Sequence, residues 1–263
     1  MIRKTIGLIM STIILTATIT DCLGNGGRDD LKVFAVKYGI SEFPKKFIIY
    51  GDKSHEKLPF CWMFYYIEYK DRKILVDTGF NNNKLIQMFD IREFRDPVEI
   101  LAENGIPADS ITDIIITHAH FDHIGNADKF PNARIIINKK ELESFMKGNG
   151  LADVRKYLKG NPEVHTFENS ISFLDFFRIQ TIGGHTEGSS VIFFTYRDKQ
   201  YCLTGDEAYL SDNINSLNGN GSVVNHNKNL SFLKELNKSG AKTLIFHDNK
   251  YYNDKKQFIQ VIP

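Results

Sequence analysis

Short apolar runs separated by turn-forming residues follow one another along most of this chain, and they predict the strands of a sheet-rich domain. Nine such runs are predicted as strands, at 47–50, 61–69, 73–78, 113–118, 134–138, 171–182, 190–197, 200–205 and 242–247. Longer segments between them are predicted as helices, at 82–104, 138–148, 151–159 and 227–239. The early strands have a hairpin-like order, whereas the later ones alternate with helices. The pattern therefore predicts an α/β (α+β) domain in which two sheets are covered by helices.

The amino terminus departs from this pattern. Arg3 and Lys4 precede an uncharged, largely apolar run at 5–20, and a polar, glycine-rich segment follows Cys22. A short basic region, an apolar stretch and a polar exit are typical of a secretory signal. A membrane-spanning helix is the alternative, but the run is shorter than the roughly 20 residues that a span requires. We therefore expect an exported protein, located in the periplasm or the cell envelope.

This reading divides the chain into three parts. Residues 1–22 are predicted as a signal peptide or lipoprotein leader, residues 23–30 as a short flexible segment, and residues 31–263 as one folded domain. Cys22 stands where the lipid-modified cysteine of a lipoprotein would stand. A lipid anchor at that position, or an uncleaved leader, is the membrane attachment that the sequence predicts.

Composition narrows the partners of the domain. The chain has 33 basic and 32 acidic residues, and its lysines and arginines are scattered rather than clustered. Because nucleic-acid binding needs a basic surface, the sequence predicts a small-molecule substrate and no nucleic acid. Cys61 and Cys202 both lie inside apolar runs, where they would either form a disulfide or remain as buried thiols.

Three of the eight histidines lie in one loop, ITHAHFDHIGN at 116–126. Just past a strand, His118 and His120 point the same way, because side chains of an extended chain alternate between two sides. Two imidazoles can then share one cation, while Asp122 and His123 face a neighbouring position after the turn. This combination of imidazole and carboxylate suits zinc, and also manganese or iron.

Further strand ends carry groups of the same kind. They are Asp77 at the end of the strand at 73–78, His185 after 171–182, Asp206 after 200–205, and His247 at the end of 242–247. Each has a structural explanation by itself: a turn histidine, a helix cap or a packed ring. Together they supply the ligands that the histidine loop lacks, because loops at the edge of a sheet commonly gather an active site. The remaining histidines, at positions 55, 165 and 226, lie in polar surroundings and are predicted at the surface.

With these residues in this order, the chain resembles the metallo-β-lactamase fold superfamily over about residues 31–263. The resemblance implies a four-layer αββα sandwich with two divalent metal ions at one edge. By analogy the first ion is held by His118, His120 and His185, and the second by Asp122, His123 and His247. Asp206 would bridge both ions, and Asp77 would hydrogen-bond the histidine loop from behind. The implied chemistry is hydrolysis by a metal-bridging hydroxide; Asp122 would orient this hydroxide or shuttle the proton that the bridging water loses.

Within that superfamily, finer features resemble the N-acyl homoserine lactonases. The segment 58–80 leads through an aromatic strand into an LVDTG turn, Phe121 lies inside the metal loop, and Tyr209 follows Asp206 by three residues. The resemblance implies a lactone-opening ester hydrolase in which Tyr209 assists ring opening; a packing tyrosine is the alternative. The chain departs from these enzymes at the third histidine, where Gly183 and Gly184 replace their Pro-Gly.

Other activities stay open on the same ligand set. A thioester hydrolase of the glyoxalase II kind normally adds a helical region after the last histidine, and here about 16 residues follow His247. A sulfatase or phosphodiesterase is a further alternative. A non-catalytic metal-binding protein of the envelope would have lost a ligand, and the set is complete. Trp62, Phe64 and Tyr65 are expected to line either an acyl pocket or the core.

Overall fold

Two β-sheets form the centre of the molecule in the computed structural model, which describes residues 30–263. The first sheet contains β1 (Lys32–Pro44), β2 (Lys57–Tyr69), β3 (Arg72–Val76), β4 (Asp113–Ile116), β5 (Arg134–Asn138), β6 (Val164–Phe167) and β12 (Phe258–Ile262). The second contains β7 (Ser170–Phe173), β8 (Phe177–Thr181), β9 (Ser190–Tyr196), β10 (Lys199–Leu203) and β11 (Lys242–Leu244). Their strand orders are β12-β1-β2-β3-β4-β5-β6 and β11-β10-β9-β8-β7.

Helices connect the strands along both sheets. The α-helices are α1 (Lys45–Ile48), α2 (Asn83–Met88), α3 (Pro97–Glu103), α4 (Phe121–Ile124), α5 (Lys139–Lys147), α6 (Ala152–Leu158), α7 (Ser211–Asn215) and α8 (His226–Ser239). Short 3₁₀ helices occupy Ala108–Ser110, Ala127–Lys129, Gly205–Glu207 and Asn249–Tyr251. No helix between residues 30 and 263 has the length and apolar character needed to cross a bilayer.

Alternating side chains of the buried strands divide the core into layers. In β4, Ile114 and Ile116 pack toward the helices that cover the first sheet. Ile115 points the other way, into the apolar layer between the two sheets. A third apolar group joins the outer face of the second sheet to α7 and α8, through residues such as Val191 and Leu233. The result is the αββα arrangement that the sequence predicted.

The strand directions place the functional loops at one edge. β3, β4, β5 and β6 run parallel to one another, and β10 runs parallel to β11. Since the carboxyl ends of parallel strands meet at the same edge of a sheet, the residues that follow β3 and β4 become neighbours. Asp77 N indeed donates to Ile115 O at 2.9 Å, which ties the turn after β3 to β4.

Three element predictions were wrong. The segment 47–50 is not a strand, because Ile48 ends α1 and the following residues turn. The segment 82–104 holds two short helices rather than one; Pro97 starts the second, a position that suits its fixed φ. The run 171–182 folds into the hairpin β7–β8, which turns at Leu174 and Asp175 with φ of 51° and 58°.

The sequence also left several elements unassigned. Strands β1, β6 and β12 were not predicted, although β1 pairs along its length with β2 and, through residues 33–36, with β12. Cys61 and Cys202 are both buried free thiols, so the structure has no disulfide between them. The predicted leader at 1–22, including Cys22, lies outside the described residues.

Candidate metal centre

The histidine loop begins where β4 ends and continues into α4. His118 follows the end of β4 in the sequence and is buried. His120 precedes α4 and is exposed, and Asp122 and His123 lie in the first turn of α4. Asp77 anchors the loop from behind, because its carboxylate accepts hydrogen bonds from Thr117 N and Thr117 Oγ1, both at 2.7 Å. The loop therefore presents its metal-type side chains from a fixed backbone.

One group of imidazoles converges beside this loop; we call His118, His120 and His185 the three-histidine cluster. His120 Nδ1 lies 3.0 Å from His118 Nε2 and 3.0 Å from His185 Nε2. Nitrogen ligands of a tetrahedral zinc ion lie about 3.3 Å apart, given Zn–N distances of about 2.0–2.1 Å. The three nitrogens are thus spaced as ligands of a single cation would be.

A second group lies next to it and contains Asp122, His123 and His247, which we call the mixed cluster. Asp122 Oδ2 is 3.4 Å from His123 Nε2 and 3.6 Å from His247 Nε2. Asp206 stands between the two clusters. Its Oδ1 is 3.2 Å from both His123 Nε2 and His247 Nε2, and its Oδ2 is 3.5 Å from His185 Nε2. One carboxylate is therefore shared by both groups.

Backbone and carboxylate oxygens fix the rings of three of the histidines. Nδ1 of His123 donates to Asp77 Oδ2 at 2.7 Å, Nδ1 of His185 to the carbonyl of Ser222 at 2.5 Å, and Nδ1 of His247 to the carbonyl of Cys61 at 2.8 Å. Because these oxygens accept, each Nδ1 carries a proton, and in the neutral form of each ring Nε2 has the lone pair. That tautomer leaves Nε2 free for a metal ion.

Unpaired atoms show that these residues fit metal ions. Within the described residues, four buried side-chain nitrogen or oxygen atoms have no hydrogen-bond partner, and three of them lie here: His123 Nε2, His247 Nε2 and Asp206 Oδ1. Buried polar atoms are rarely left unpaired, because each costs about 1–3 kcal/mol. All three face the space that the mixed cluster encloses, where a cation would satisfy them together.

The charges of the site also indicate that its residues suit metal ions. Burial lowers the pKa of His185 to about 4, so this ring is neutral and can bind a metal. The pKa of His123 is raised well above its usual range. Burial by itself would lower this pKa, but the negative charges of Asp206, Asp122 and Asp77 outweigh the effect of burial. A buried ring surrounded by three carboxylates marks an anionic site that positive charge would stabilise.

Tyr209 lies between the two clusters. Its ring centroid is 5.7 Å from that of His185 and 5.4 Å from that of His247, and the side chain is 6% exposed. Burial, followed by the charge of Asp206, raises the pKa of the Tyr209 hydroxyl well above 10. The phenol therefore keeps its proton at neutral pH beside the metal-type residues.

A groove of about 800 Å³ leads to the exposed face of His120. Phe121 and Thr186 line it near the clusters, and Leu151 and Phe145 line it farther out. Phe121 also stacks on Phe89, with centroids 5.1 Å apart. The groove gives a small molecule access to the clusters along a partly aromatic wall.

The other singled-out residues have mixed positions. His55 and His165 are exposed as predicted, but His226 is half-buried and stacks on Tyr50 at 3.5 Å. Trp62, Phe64 and Tyr65 are all buried.

Only one of those three aromatics approaches the site. Trp62 lies 6.0 Å from Phe121, whereas Tyr65 packs between the sheets and donates to Ile245 O.

Two buried glutamates of the site were missed by the sequence analysis. Glu141 accepts hydrogen bonds from Ala119 N in the histidine loop at 2.9 Å and from Thr186 Oγ1 at 2.6 Å. Glu207, next to Asp206, accepts from the turn that carries His185. Neither has a metal-ligand spacing in the sequence, and the adjacency of Glu207 to Asp206 was the available signal.

Residues 63–246 match the sequence pattern of the metallo-beta-lactamase superfamily. The chain belongs to this superfamily. A probable metallo-hydrolase of Methanocaldococcus jannaschii is 26% identical to it over 155 residues, which cover 59% of this chain and 66% of that protein. The N-acyl homoserine lactonase of Bacillus thuringiensis is 26% identical over 164 residues, which cover 57% of this chain and 65% of the lactonase. The chain thus spans just under two thirds of the length of these metallo-beta-lactamase relatives.

Solved structures share the architecture over nearly the whole domain. A quorum-quenching N-acyl homoserine lactone lactonase superposes with a TM-score of 0.73 at 20% identity, covering 87% of this chain and 98% of the other. A probable metal-dependent hydrolase from Staphylococcus aureus gives 0.72 at 17% identity, covering 89% and 97%. These likenesses confirm the predicted metallo-beta-lactamase fold.

Proposed function

We propose that this protein is a metal-dependent hydrolase that uses two divalent metal ions, with zinc as the preferred ion, and opens a lactone of the N-acyl homoserine type or a similar ester. The observation that carries the proposal is the shared position of Asp206, whose two oxygens face the two clusters. The similarity of the chain to N-acyl homoserine lactonases supports a lactone as the class of substrate. Manganese or iron would suit the same nitrogen and oxygen ligands.

The ligands divide between two cations. His118, His120 and His185 would hold one, and Asp122, His123 and His247 the other, with Asp206 reaching both. Divalent cations bound in this way supply an activated water and polarise the carbonyl of an ester. Asp77 keeps the proton of His123 on Nδ1, so that Nε2 stays available as a ligand atom.

Asp122 and Tyr209 are proposed to assist the reaction, Asp122 by accepting a proton and Tyr209 by donating a hydrogen bond. The carboxylate of Asp122 is 7% exposed and lies at the edge of the mixed cluster, where it can accept a proton from the attacking water. Tyr209 lies across the same space, where its hydroxyl can donate a hydrogen bond to the carbonyl or leaving oxygen as charge develops there.

Aromatic side chains beside the clusters form an apolar surface that could bind the acyl chain of the substrate. Phe121 lies next to His120 and contacts Phe89 and Trp62, at centroid distances of 5.1 Å and 6.0 Å. Such a surface would take the hydrocarbon part of an acyl chain while the polar ring of the lactone lies over the clusters. The ligand set alone is equally suited to a thioester, a sulfate ester or a phosphodiester, so these substrates are alternatives for the test to separate.

The decisive experiment measures proton release from a long-chain N-acyl homoserine lactone by the zinc-loaded protein. His118→Ala removes a buried member of the three-histidine cluster, and His165→Ala removes an exposed histidine of β6 as a matched control. We expect turnover by the wild type and by His165→Ala, and a loss of at least about 100-fold in His118→Ala.

Each result has a definite meaning when the metal content of all three proteins is measured beside it. Metal-loaded wild type without turnover would refute lactone hydrolysis, and thioesters, sulfate esters and phosphodiesters would then be tried. A wild type that binds no divalent cation would refute the metal-dependent mechanism itself.

A further inference from the structure

The turn that carries His185 is built from two glycines with different constraints. Gly183 has φ +71°, a conformation that proline cannot adopt, and its N–H donates to Ser189 O at 3.1 Å. A proline at position 183 is therefore incompatible with the backbone of this turn, so the turn must be fixed by contacts from elsewhere in the chain.

Glu207 is the group that contacts this turn most extensively. The side chain is fully buried, and a single oxygen, Oε1, accepts hydrogen bonds from Gly184 N at 3.0 Å, His185 N at 3.1 Å and Ser189 Oγ at 2.6 Å. The donors come from both ends of the turn, so one carboxylate oxygen holds its two arms together. Charge-assisted hydrogen bonds of this kind are about twice as strong as neutral ones.

The second oxygen of Glu207 connects the turn to the helical layer. Asn229, in α8, donates through Nδ2 to Glu207 Oε2 at 2.8 Å and to the backbone carbonyl of Glu207 at 2.8 Å. Asn229 is also fully buried, and its Oδ1 accepts from Asn220 N at 2.9 Å. The carboxylate is thus held on both sides and cannot turn away from the His185 backbone.

Gly184 gives independent support for this close contact. A Cβ at this position would lie 2.3 Å from Glu207 Oε2 and 2.8 Å from Asn229 Cβ, so every side chain larger than hydrogen would displace the carboxylate. The backbone has approached Glu207 as closely as glycine permits. This packing brings His185 Nε2 to 3.0 Å from His120 Nδ1.

We propose that Glu207 is a positioning residue that holds the His185 turn in place and thereby sets the affinity of the three-histidine cluster for its cation. The inference rests on the metal-binding part of the proposed function and adds to it a residue that touches neither metal nor substrate. Removing residues that orient metal ligands typically weakens metal binding by about 10–100-fold.

The test measures the affinity of the full-length protein for Co²⁺ and Zn²⁺, by competition with a chromogenic chelator and by the visible spectrum of bound Co²⁺. Glu207→Ala removes the acceptor of Gly184 N, His185 N and Ser189 Oγ, and we expect it to weaken binding at the three-histidine cluster by about 10–100-fold while the mixed cluster is unchanged. Variants His185→Ala and His247→Ala supply the spectral signature of loss at each cluster.

A conservative variant should rescue the effect. Glu207→Gln keeps a carbonyl oxygen for the three donors of the turn, although its amide places a donor opposite Asn229 Nδ2, so we expect a smaller loss than in Glu207→Ala, with an affinity within about tenfold of the wild type. Asp113→Asn is the control for general destabilisation, because Asp113 is a buried carboxylate at the far end of β4 that accepts from Arg72 and Arg134. It should lower the melting temperature without changing metal affinity.

Two outcomes would overturn the proposal: wild-type affinity at both clusters in folded Glu207→Ala, or equal losses at both. If Glu207→Ala does not fold, Ser189→Ala removes the 2.6 Å donor to Glu207 together with the contacts of the same hydroxyl with Thr186 N and O, and it must weaken the same cluster selectively. A wild type that binds no metal would overturn the proposed function together with this inference. A wild type that binds two ions beside an unaffected Glu207→Ala overturns this inference alone.

Discussion

His123 Nδ1 lies 2.7 Å from Asp77 Oδ2, and both side chains are buried. The carboxylate reaches the ring because Asp77 has φ 65°, which turns the chain sharply after β3. The same carboxylate accepts from Thr117 N and Thr117 Oγ1, so it holds the start of the histidine loop as well as one of its rings. A substitution of Asp77 should therefore weaken the affinity of the site for metal ions.

We expect Asp77→Asn to weaken binding of the cation held by the mixed cluster by about 10–100-fold. Asparagine tolerates the positive φ, but its amide places a donor against donors of Thr117 or His123. Competition titration with Zn²⁺ measures the change, and Asp109→Asn, at an exposed position, is the control. Unchanged affinity for both ions in Asp77→Asn would refute the role that we give this carboxylate.

Tyr209→Phe should separate chemistry from metal binding. Phenylalanine keeps the ring that packs beside His185 and His247 and removes only the hydroxyl. If that hydroxyl stabilises developing charge, kcat on a lactone falls by roughly 100-fold while the metal content stays at the wild-type value. The control is Tyr66→Phe, which removes a hydroxyl that bonds to Glu68 away from the site. Equal kcat for Tyr209→Phe and wild type would show that Tyr209 only packs.

The aromatic wall predicts a preference for long acyl chains. Phe121 lines the groove and Phe89 stacks on it, so removing the Phe89 ring would release Phe121 and weaken apolar contact with an acyl chain by about 1–3 kcal/mol. Phe89→Ala should therefore lower kcat/KM for a long-chain lactone by about tenfold or more and change it little for a short-chain one. Met88→Ala, at a neighbouring position that is 72% exposed, should affect neither. Parallel losses on both substrates would contradict an acyl-binding role.

The buried thiols predict a loss of stability in alkali. Burial raises the pKa of Cys61 from 9.0 to about 12. Below pH 9 the thiol is protonated in both states; between about pH 9 and 12 it ionises only in the unfolded chain, which favours unfolding. From pH 8 to 10 the free energy of unfolding should fall by about 1.4 kcal/mol less in Cys61→Ala than in wild type. Guanidinium unfolding at both pH values measures this, and identical pH dependence would refute it.

The superfamily and its fold could be predicted because their signals are local. Each metal-type residue, such as Asp77 or His185, comes directly after an apolar run, and parallel strands bring such ends together. The strand β1 was missed because its apolar pattern includes Lys37, which is 3% exposed and donates to the carbonyl of Tyr251. A lysine buried against a distant carbonyl cannot be told from a surface lysine by pattern.

The glutamates of the site show a second limit. Glu207 and Glu141 act on backbone N–H groups, which every residue carries, so no pairing of side-chain types marks their role. Glu141 accepts hydrogen bonds from Ala119 N and Gly188 N, which are 22 and 47 residues away in the sequence. Only the packing of α5 against both loops brings these groups together. Gly184 is a sequence signal of the contact with Glu207, because no larger side chain fits there. This signal can be interpreted only when the position of Glu207 in the fold is known.

Each cluster takes its ligands from both sheets. His118, His120, Asp122 and His123 follow a strand of the first sheet, whereas His185, Asp206 and His247 follow strands of the second. A cation in either cluster would therefore cross-link the two halves of the sandwich at their shared edge, as a disulfide joins distant parts of a chain. Maturation of the protein would then depend on metal supply, since the cation that we propose for hydrolysis would also join the two sheets.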